Sequence, residues 1–218
     1  MLDDISIYRE LVPGFHQVSF ISGRTRVLLH RVEQGVPLKK HRHKQAQFGY
    51  NFSGHYEFPV DDMLFHVQPR SKYLLSGLIY HSAISTTEYY SIDVKFMPDR
   101  PFSHKAIFDH PGDKPSHIWL HGDSDAEAFH FDLENHESID LSIIRAGGTG
   151  TARISLSPRN TNLLIASRDG ELSLNEQNTL LQAMHIYRLK PMDLLNLDFI
   201  ASDTEIVVIS IQPGDTRL

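Results

Sequence analysis

The stretch that decides the fold runs from residue 35 to residue 54 and reads GVPLKKHRHKQAQFGYNFSG. Two glycines, Gly35 and Gly54, frame it, and His41, His43 and Gln47 stand between them. Side chains two apart on a β-strand point to the same face, so His41 and His43 are expected to project together. Gln47 can return to the same cavity from the next turn or strand.

A lone histidine further along the chain, His81, completes the pattern. A bare His-x-His pair on a strand is more often a polar face, but the glycine frame, Gln47 and His81 together favour a metal site. Three imidazoles and one oxygen donor that converge inside a barrel suit a first-row transition metal. We therefore expect His41, His43, Gln47 and His81 to bind one divalent ion: Fe, Co, Ni, Mn or Zn.

This stretch resembles the first conserved motif of the cupin superfamily, G-x5-H-x-H-x3-E-x6-G, and it matches every spacing. Gln47 stands where most cupins carry glutamate. The second cupin motif, P-x-G-x-x-H-x3-N, is matched loosely by residues 74–81, which keep Gly77 and His81 but have one additional residue between them and no proline. The resemblance covers residues 20–97 and implies an all-β fold of jelly-roll barrels.

The set of predicted ligands indicates which members of the cupin superfamily this chain resembles. Three histidines and a glutamine are similar to the set in bicupins of the bacilysin-biosynthesis isomerase type, which act on a 2-oxo acid, and in related cupins of aeruginosin biosynthesis. The resemblance implies two tandem barrels and metal-dependent isomerase chemistry. Bacilysin-type bicupins carry ligands in both barrels, whereas the second half of this chain shows no such motif.

Length and composition restrict the fold classes and functions that this chain can have. The chain has 218 residues, enough for one large domain or two smaller ones, and 40% of them are hydrophobic. It has no cysteine, which excludes disulfides and thiolate metal sites and fits a cytoplasmic protein. No apolar run approaches the roughly 20 residues of a membrane span, and the first residues show no secretory signal. A net charge of −6 without a basic cluster argues against nucleic-acid binding.

The domain organisation predicted from turn and strand signals has three parts. Residues 1–97 form an N-terminal barrel with the metal site, residues 98–126 form a proline-rich connection that is compatible with a short helix at 103–108, and residues 127–218 form a degenerate second barrel. Short strands at close intervals favour a barrel or sandwich over βαβ units. When the glycines at 170 and 54 are aligned, the ligand positions of the first motif are taken by Ser157, Arg159 and Leu163.

The neutral donor set has a chemical consequence. Three imidazoles and an amide leave the full +2 charge of a divalent ion, where the usual glutamate would lower it to +1. A more positive centre is a stronger Lewis acid and attracts an anionic chelator such as a 2-oxo carboxylate. This charge favours isomerisation or decarboxylation of a small anionic substrate.

Candidate catalytic residues lie on two strands. Arg26 and His30 share a face of the strand that ends at Val32, and Lys95 lies two residues after Asp93 on a later strand. If these faces point into the barrel, His30 or Arg26 can serve as a base or carboxylate partner, and Lys95 as an acid, base or substrate anchor. The alternatives are an exposed charged face for the first strand and a cross-strand surface pair for the second.

Two other functions remain open from the sequence. An open-sided three-histidine site also supports a non-haem metal dioxygenase. A small-molecule-binding or regulatory protein similar to the pirins, with one metallated and one bare barrel, is the other alternative. Because edge strands present unpaired backbone groups, we also expect a homodimer. The alternative is that the two barrels cover each other's edges within one chain.

Overall fold

The computed structural model describes residues 2–110, 112–113, 116–121, 124–146, 150–199 and 204–214, with the backbone alone for His121 and Ala146. The chain divides into two compact units, residues 7–110 and residues 1–6 together with 111–218. Throughout the described residues both units consist of antiparallel strands, with one 3-10 turn at Glu134–His136. No helix in this part of the chain is long and apolar enough to cross a membrane.

The first strand, β1 (Leu2–Asp4), belongs to the second unit. The unit of residues 7–110 contains β2 (Ile7–Val12), β3 (Phe15–Ser22), β4 (Thr25–Val32), β5 (Pro37–His41), β6 (Ala46–Ser53), β7 (Tyr56–Val60), β8 (Met63–Val67), β9 (Lys72–Leu75), β10 (His81–Ser85), β11 (Tyr89–Phe96) and β12 (Ala106–Phe108).

Two sheets enclose the interior of this unit. The seven-stranded sheet has the order β12-β9-β6-β11-β4-β3-β2, and the four-stranded sheet has the order β5-β10-β7-β8. Buried aromatic and aliphatic side chains from both sheets, such as Phe15, Phe58 and Tyr89, form one cluster between them. This two-sheet arrangement is a jelly-roll barrel.

The end of β6 explains the second glycine of the motif. Every residue of β6 up to Phe52 is buried, since the strand lies between β9 and β11 in the middle of its sheet. Gly54 then turns the chain with a φ of 75°. A Cβ at this position would overlap the carbonyl of Glu88, so the turn accepts no side chain there.

The second unit is a similar two-sheet barrel. Its further strands are β13 (Ile118–His121), β14 (Ser124–Asp132), β15 (Ser138–Ala146), β16 (Thr151–Ser155), β17 (Thr161–Ala166), β18 (Gly170–Leu174), β19 (Gln177–Leu181), β20 (Tyr187–Leu189), β21 (Leu194–Phe199) and β22 (Glu205–Gln212). They form a six-stranded sheet, β1-β20-β17-β22-β15-β14, and a five-stranded sheet, β13-β16-β21-β18-β19. Leu164, Ile206 and Leu197 are among the buried side chains between them.

The prediction of an all-β fold with two jelly-roll barrels is confirmed. The segment 98–126 differs from the expected connection because it contributes β12, which pairs with β9, and β13, which pairs with β16. The apolar run Ala106–Phe108 is a strand rather than a helix because it adds to an existing sheet edge. Residues 111, 114–115 and 122–123 of this segment lie outside the described residues.

Candidate metal centre

Three of the four predicted ligands meet at one end of the first barrel. One ring nitrogen from each of His41, His43 and His81 lies within 4.8 Å of the others. His41 is the last residue of β5 and His81 the first of β10, and the two residues are direct partners in that strand pair. No other cluster of three or more potential ligands of the histidine, cysteine or carboxylate type occurs among the described residues.

The location of His43 differs from the one that strand alternation predicts. The strand ends at His41, so His43 lies in the loop between β5 and β6 rather than on the same strand face. The backbone N–H of Leu78 donates to the carbonyl of His43 at 2.7 Å, which holds this loop beside the segment that leads to His81.

The three rings share one hydrogen-bond pattern that fixes their protons. Nδ1 of each donates to the backbone carbonyl two residues away: His41 to Lys39 at 2.9 Å, His43 to Gln45 at 2.8 Å and His81 to Ile79 at 3.0 Å. Burial lowers the pKa of His43, and it lowers the pKa of His81 to about 4, so both rings favour the neutral form. A neutral imidazole with its proton on Nδ1 keeps the Nε2 lone pair for a metal.

Gln47 supplies a direct test of whether this donor set fits a cation. Its Oε1 lies 3.0 Å from Nε2 of His43. Because the proton of His43 is on Nδ1, two acceptor atoms face each other at hydrogen-bond distance. A cation bound to both atoms replaces this repulsion with attraction, so the residues present fit a divalent metal ion. Open-sided nitrogen and oxygen donor sets of this kind accept Fe, Co, Ni, Mn or Zn.

A cavity of about 170 Å³ adjoins the histidines inside the barrel. His41, His81 and Gln47 line it together with His30, Asp93 and Lys95 and several aromatic rings. His30 on β4 and Lys95 on β11 therefore point into the barrel, which is the orientation that a catalytic role requires. Within the described part of the chain, the Lys95 ammonium has no hydrogen-bonded or ion-paired partner. Burial lowers the pKa of Lys95, Asp93 opposes this effect, and Arg26 adds to it.

His30 and Asp93 form a buried pair on neighbouring strands. Nδ1 of His30 lies 3.4 Å from Oδ2 of Asp93, and Nε2 of His30 lies 3.0 Å from Nε2 of Gln17. A carboxylate oxygen only accepts, so His30 carries its proton on Nδ1, and the amide of Gln17 donates to Nε2. Burial lowers the pKa of His30 to about 4 although Asp93 raises it, so the ring is neutral.

Two predicted site residues do not line the cavity: His43, which faces it only through its contacts with Gln47 and the other histidines, and Arg26, which lies apart from the site. Arg26 is therefore the one predicted residue that the structure does not bring to the site. It lies near the start of β4, opposite Lys95 of β11, and its side chain is exposed. The cavity begins further along the strand, where Leu28 and His30 line it.

Sequence reasoning missed three polar residues in the cavity: Tyr56 and, in contact with predicted site residues, Tyr73 and Gln17. The hydroxyl of Tyr73 donates to Oδ1 of Asp93 at 2.7 Å, and Nε2 of Gln47 donates to the Tyr73 oxygen at 3.2 Å. None of the three residues belongs to a motif. The available signal was Gly49, an isolated glycine in a buried strand, which indicates that another group approaches closely.

The second barrel differs from the first at the corresponding positions. Ser155 pairs with Leu194 where the first barrel has the pair of His41 and His81. Asn162 lies opposite Ser210, whereas Gln47 lies opposite Lys95. The alignment made from sequence is therefore displaced for two reasons. β17 begins nine residues before Gly170 whereas β6 begins eight before Gly54, which moves the equivalent of Gln47 from Leu163 to Asn162. The loop before β17 has five residues and the loop before β6 has four, which moves the equivalent of His41 by one more residue, to Ser155. This barrel contains a cavity of about 410 Å³ lined mainly by hydroxyl and amide groups.

Comparison with known proteins supports the fold. No family model matches the sequence, and no curated protein matches it. Among solved structures, AerE from Microcystis aeruginosa is 15% identical, with a TM-score of 0.66 over 96% of this chain and 98% of that chain. Quercetin 2,3-dioxygenase from Acinetobacter baumannii is 13% identical, with a TM-score of 0.68 over 99% of this chain and 80% of that chain.

A third solved structure is the bacterial pirin YhhW from Escherichia coli in complex with nickel(II). It is 11% identical, with a TM-score of 0.68, and the match covers 98% of this chain and all of that one (100%). At these identities the comparisons show the fold alone. The chain has the bicupin fold, as the motif resemblance predicted.

Proposed function

We propose that this chain is a metal-dependent enzyme that acts on a small anionic metabolite, a 2-oxo acid or a similar compound, by isomerisation or decarboxylation. The observation that carries the proposal is that three imidazoles with anchored Nδ1 protons meet beside a cavity that also holds the Lys95 ammonium. A divalent ion held by His41, His43, Gln47 and His81 supplies Lewis acidity toward a carbonyl oxygen of the substrate.

The charges of the cavity favour an anion. All four proposed ligands bind a metal ion as neutral groups, and Lys95 adds a cation that no group of the described chain pairs with. Asp93 is the one carboxylate among the described residues that line the cavity, and it already accepts from Tyr73 and lies beside the Nδ1 proton of His30. A substrate carboxylate therefore finds an unpaired ammonium, and we assign Lys95 the role of binding and orienting it.

His30 is the group best placed to accept a proton inside the cavity. Its Nδ1 proton is directed at Asp93, and its Nε2 lone pair accepts only from the amide of Gln17. If Gln17 turns away, Nε2 takes a proton from the substrate, and the Asp93 carboxylate stabilises the imidazolium that results. The surrounding rings of Phe15, Phe58 and other buried side chains keep bulk water away from this step.

Elemental analysis of protein purified without an affinity tag is the first test. We expect about one divalent metal per chain in the wild type and in His55→Ala, an exposed histidine outside the site, but a sharply reduced content in His41→Ala. The loaded protein should then convert a 2-oxo acid without oxygen.

The other functions predict different results. Oxygen consumption that depends on substrate would identify a dioxygenase instead, and binding of oxalate without any turnover would identify a binding protein. Equal metal content in the wild type and His41→Ala would contradict the proposed site itself.

We also propose that the protein forms a homodimer through β2. This strand lies at the edge of its seven-stranded sheet with β3 as its neighbour, and all six of its residues are exposed. They include the apolar residues Ile7, Leu11 and Val12. Light scattering should give a dimer for the wild type and for Ile84→Lys, which changes an exposed residue elsewhere, and a monomer for Val12→Lys. A monomeric wild type would exclude this interface.

A further inference from the structure

Three residues lie side by side on neighbouring strands of the seven-stranded sheet and form one row across it. Asp93 of β11 is the direct partner of Gly49 of β6, and Gly49 is in turn the partner of Tyr73 of β9. A Cβ at Gly49 would overlap the ring and the hydroxyl of Tyr73. The absence of a side chain at Gly49 therefore allows the Tyr73 ring to lie across β6 and to place its hydroxyl against Asp93.

The hydrogen bonds of this row have one consistent direction. The Asp93 carboxylate accepts, so the single proton of the Tyr73 hydroxyl points to Oδ1 of Asp93 at 2.7 Å. The Tyr73 oxygen is then an acceptor toward Gln47, and Nε2 of Gln47 donates to it at 3.2 Å. Burial raises the pKa of Tyr73 well above its ordinary value, and Asp93 raises it further, so the hydroxyl keeps its proton.

The direction of the Gln47 amide follows from this arrangement. With Nε2 committed to Tyr73, the opposite atom, Oε1, faces Nε2 of His43 at 3.0 Å. The reversed amide would place an N–H donor against the His43 lone pair. It would then form an ordinary hydrogen bond that competes with a metal ion for the same lone pair. It would also set a carbonyl oxygen against the Tyr73 hydroxyl, whose proton is already given to Asp93.

We propose that Asp93 and Tyr73 are positioning residues that orient the Gln47 amide, with its oxygen toward the histidines, so that a neutral side chain serves as a metal ligand. A carboxylate has two equivalent oxygens, so it presents an oxygen to the metal in either orientation. An amide presents its oxygen to the metal in only one of its two orientations. The inference rests on the proposed metal site, and it assigns to Tyr73 a role that lies outside both sequence motifs.

The test compares Tyr73→Phe in two backgrounds. Tyr73→Phe keeps the ring over Gly49 but removes the acceptor for Gln47. We expect the affinity for Zn²⁺, measured by competition with a chromophoric chelator, to fall roughly 10- to 100-fold, the usual effect of losing an outer partner of a ligand. In the Gln47→Glu background the same substitution should change the affinity less than about threefold, because no orientation is lost. Tyr89→Phe, which removes another hydroxyl of the same cavity, is the matched control and should bind Zn²⁺ as the wild type does.

The outcomes separate this inference from the proposed function. A wild type that binds no metal overturns both. If the wild type and Tyr73→Phe bind Zn²⁺ equally well, the orienting role of Tyr73 alone is overturned. An equal loss of Zn²⁺ affinity in the wild-type and Gln47→Glu backgrounds also overturns it, because it would indicate a general packing effect. If Tyr73→Phe does not fold, the wild type labelled with ¹⁵N-glutamine decides. The side-chain NH₂ of Gln47 should exchange slowly with solvent in the Zn²⁺-loaded protein, and rapid exchange would refute its hydrogen bond to Tyr73.

Discussion

Replacing Gln47 with glutamate tests the charge argument for an anionic substrate. Gln47 is buried and its Oε1 lies 3.0 Å from Nε2 of His43, so Gln47→Glu places a negative charge among the histidines. A substrate anion bound beside the same histidines lies about 5 Å from that charge. With an effective dielectric constant of about 20, the repulsion is roughly 3 kcal/mol. The dissociation constant of the anion should therefore rise about 100-fold.

The assay is isothermal titration of metal-loaded protein with oxalate, a 2-oxo acid mimic that cannot turn over by isomerisation. Gln45→Glu adds the same charge two residues away on a partly exposed side chain, where water screens it, and should change the dissociation constant only slightly. The metal content of Gln47→Glu should be unchanged or higher, because a carboxylate is a stronger ligand than an amide. Equal oxalate affinity in wild type and Gln47→Glu, with metal bound in both, would refute the reasoning.

Three further predictions concern individual residues of the cavity. His43→Ala removes one ligand, so metal content by elemental analysis should fall at least about tenfold while circular dichroism shows a folded barrel; unfolding would instead indicate a structural metal. Lys95→Met removes the unpaired cation, and oxalate should bind roughly 10- to 100-fold more weakly at unchanged metal content; an unchanged affinity would exclude Lys95 as the anion anchor. Because burial lowers the pKa of His30 to about 4 from 6.5, stability is full above pH 6.5 and falls by up to roughly 3 kcal/mol toward pH 4. Urea unfolding of His30→Gln should show a smaller loss between those values, and an identical pH dependence would contradict this origin.

The strand pattern was largely readable from the sequence. The hairpin of β7 and β8, with its turn at Asp61 and Asp62, and the long buried strand β11 lie where turn residues and apolar runs predict them. The histidine spacing also led to the residues that meet in the barrel. Strand alternation does not explain why His41 and His43 converge, because β5 ends at His41 and His43 lies in the loop that follows.

Other features depended on contacts that no local pattern reveals. The exposed strand β2 and the short strands β5 and β12 carry no clear alternation, and their pairing with distant neighbours defines them. Tyr73 looks like an ordinary strand tyrosine in the sequence. Its position becomes clear only when Gly49 and Asp93, far apart in the chain, are aligned across the sheet.

The pairing of the first strand with one of the last has a consequence for how the protein is made. Leu2 lies opposite Leu189, and Asp4 contacts His185 at 2.7 Å, although residues 7–110 build the other barrel. On the ribosome, the barrel of residues 7–110 has all its strands long before β20 emerges, so β1 must wait for its partner strand. Docking of β1 should thus be a late event in biosynthesis. A tag or deletion at residues 2–6 should impair the barrel that contains β20 before it affects the barrel of residues 7–110, which holds the proposed metal site.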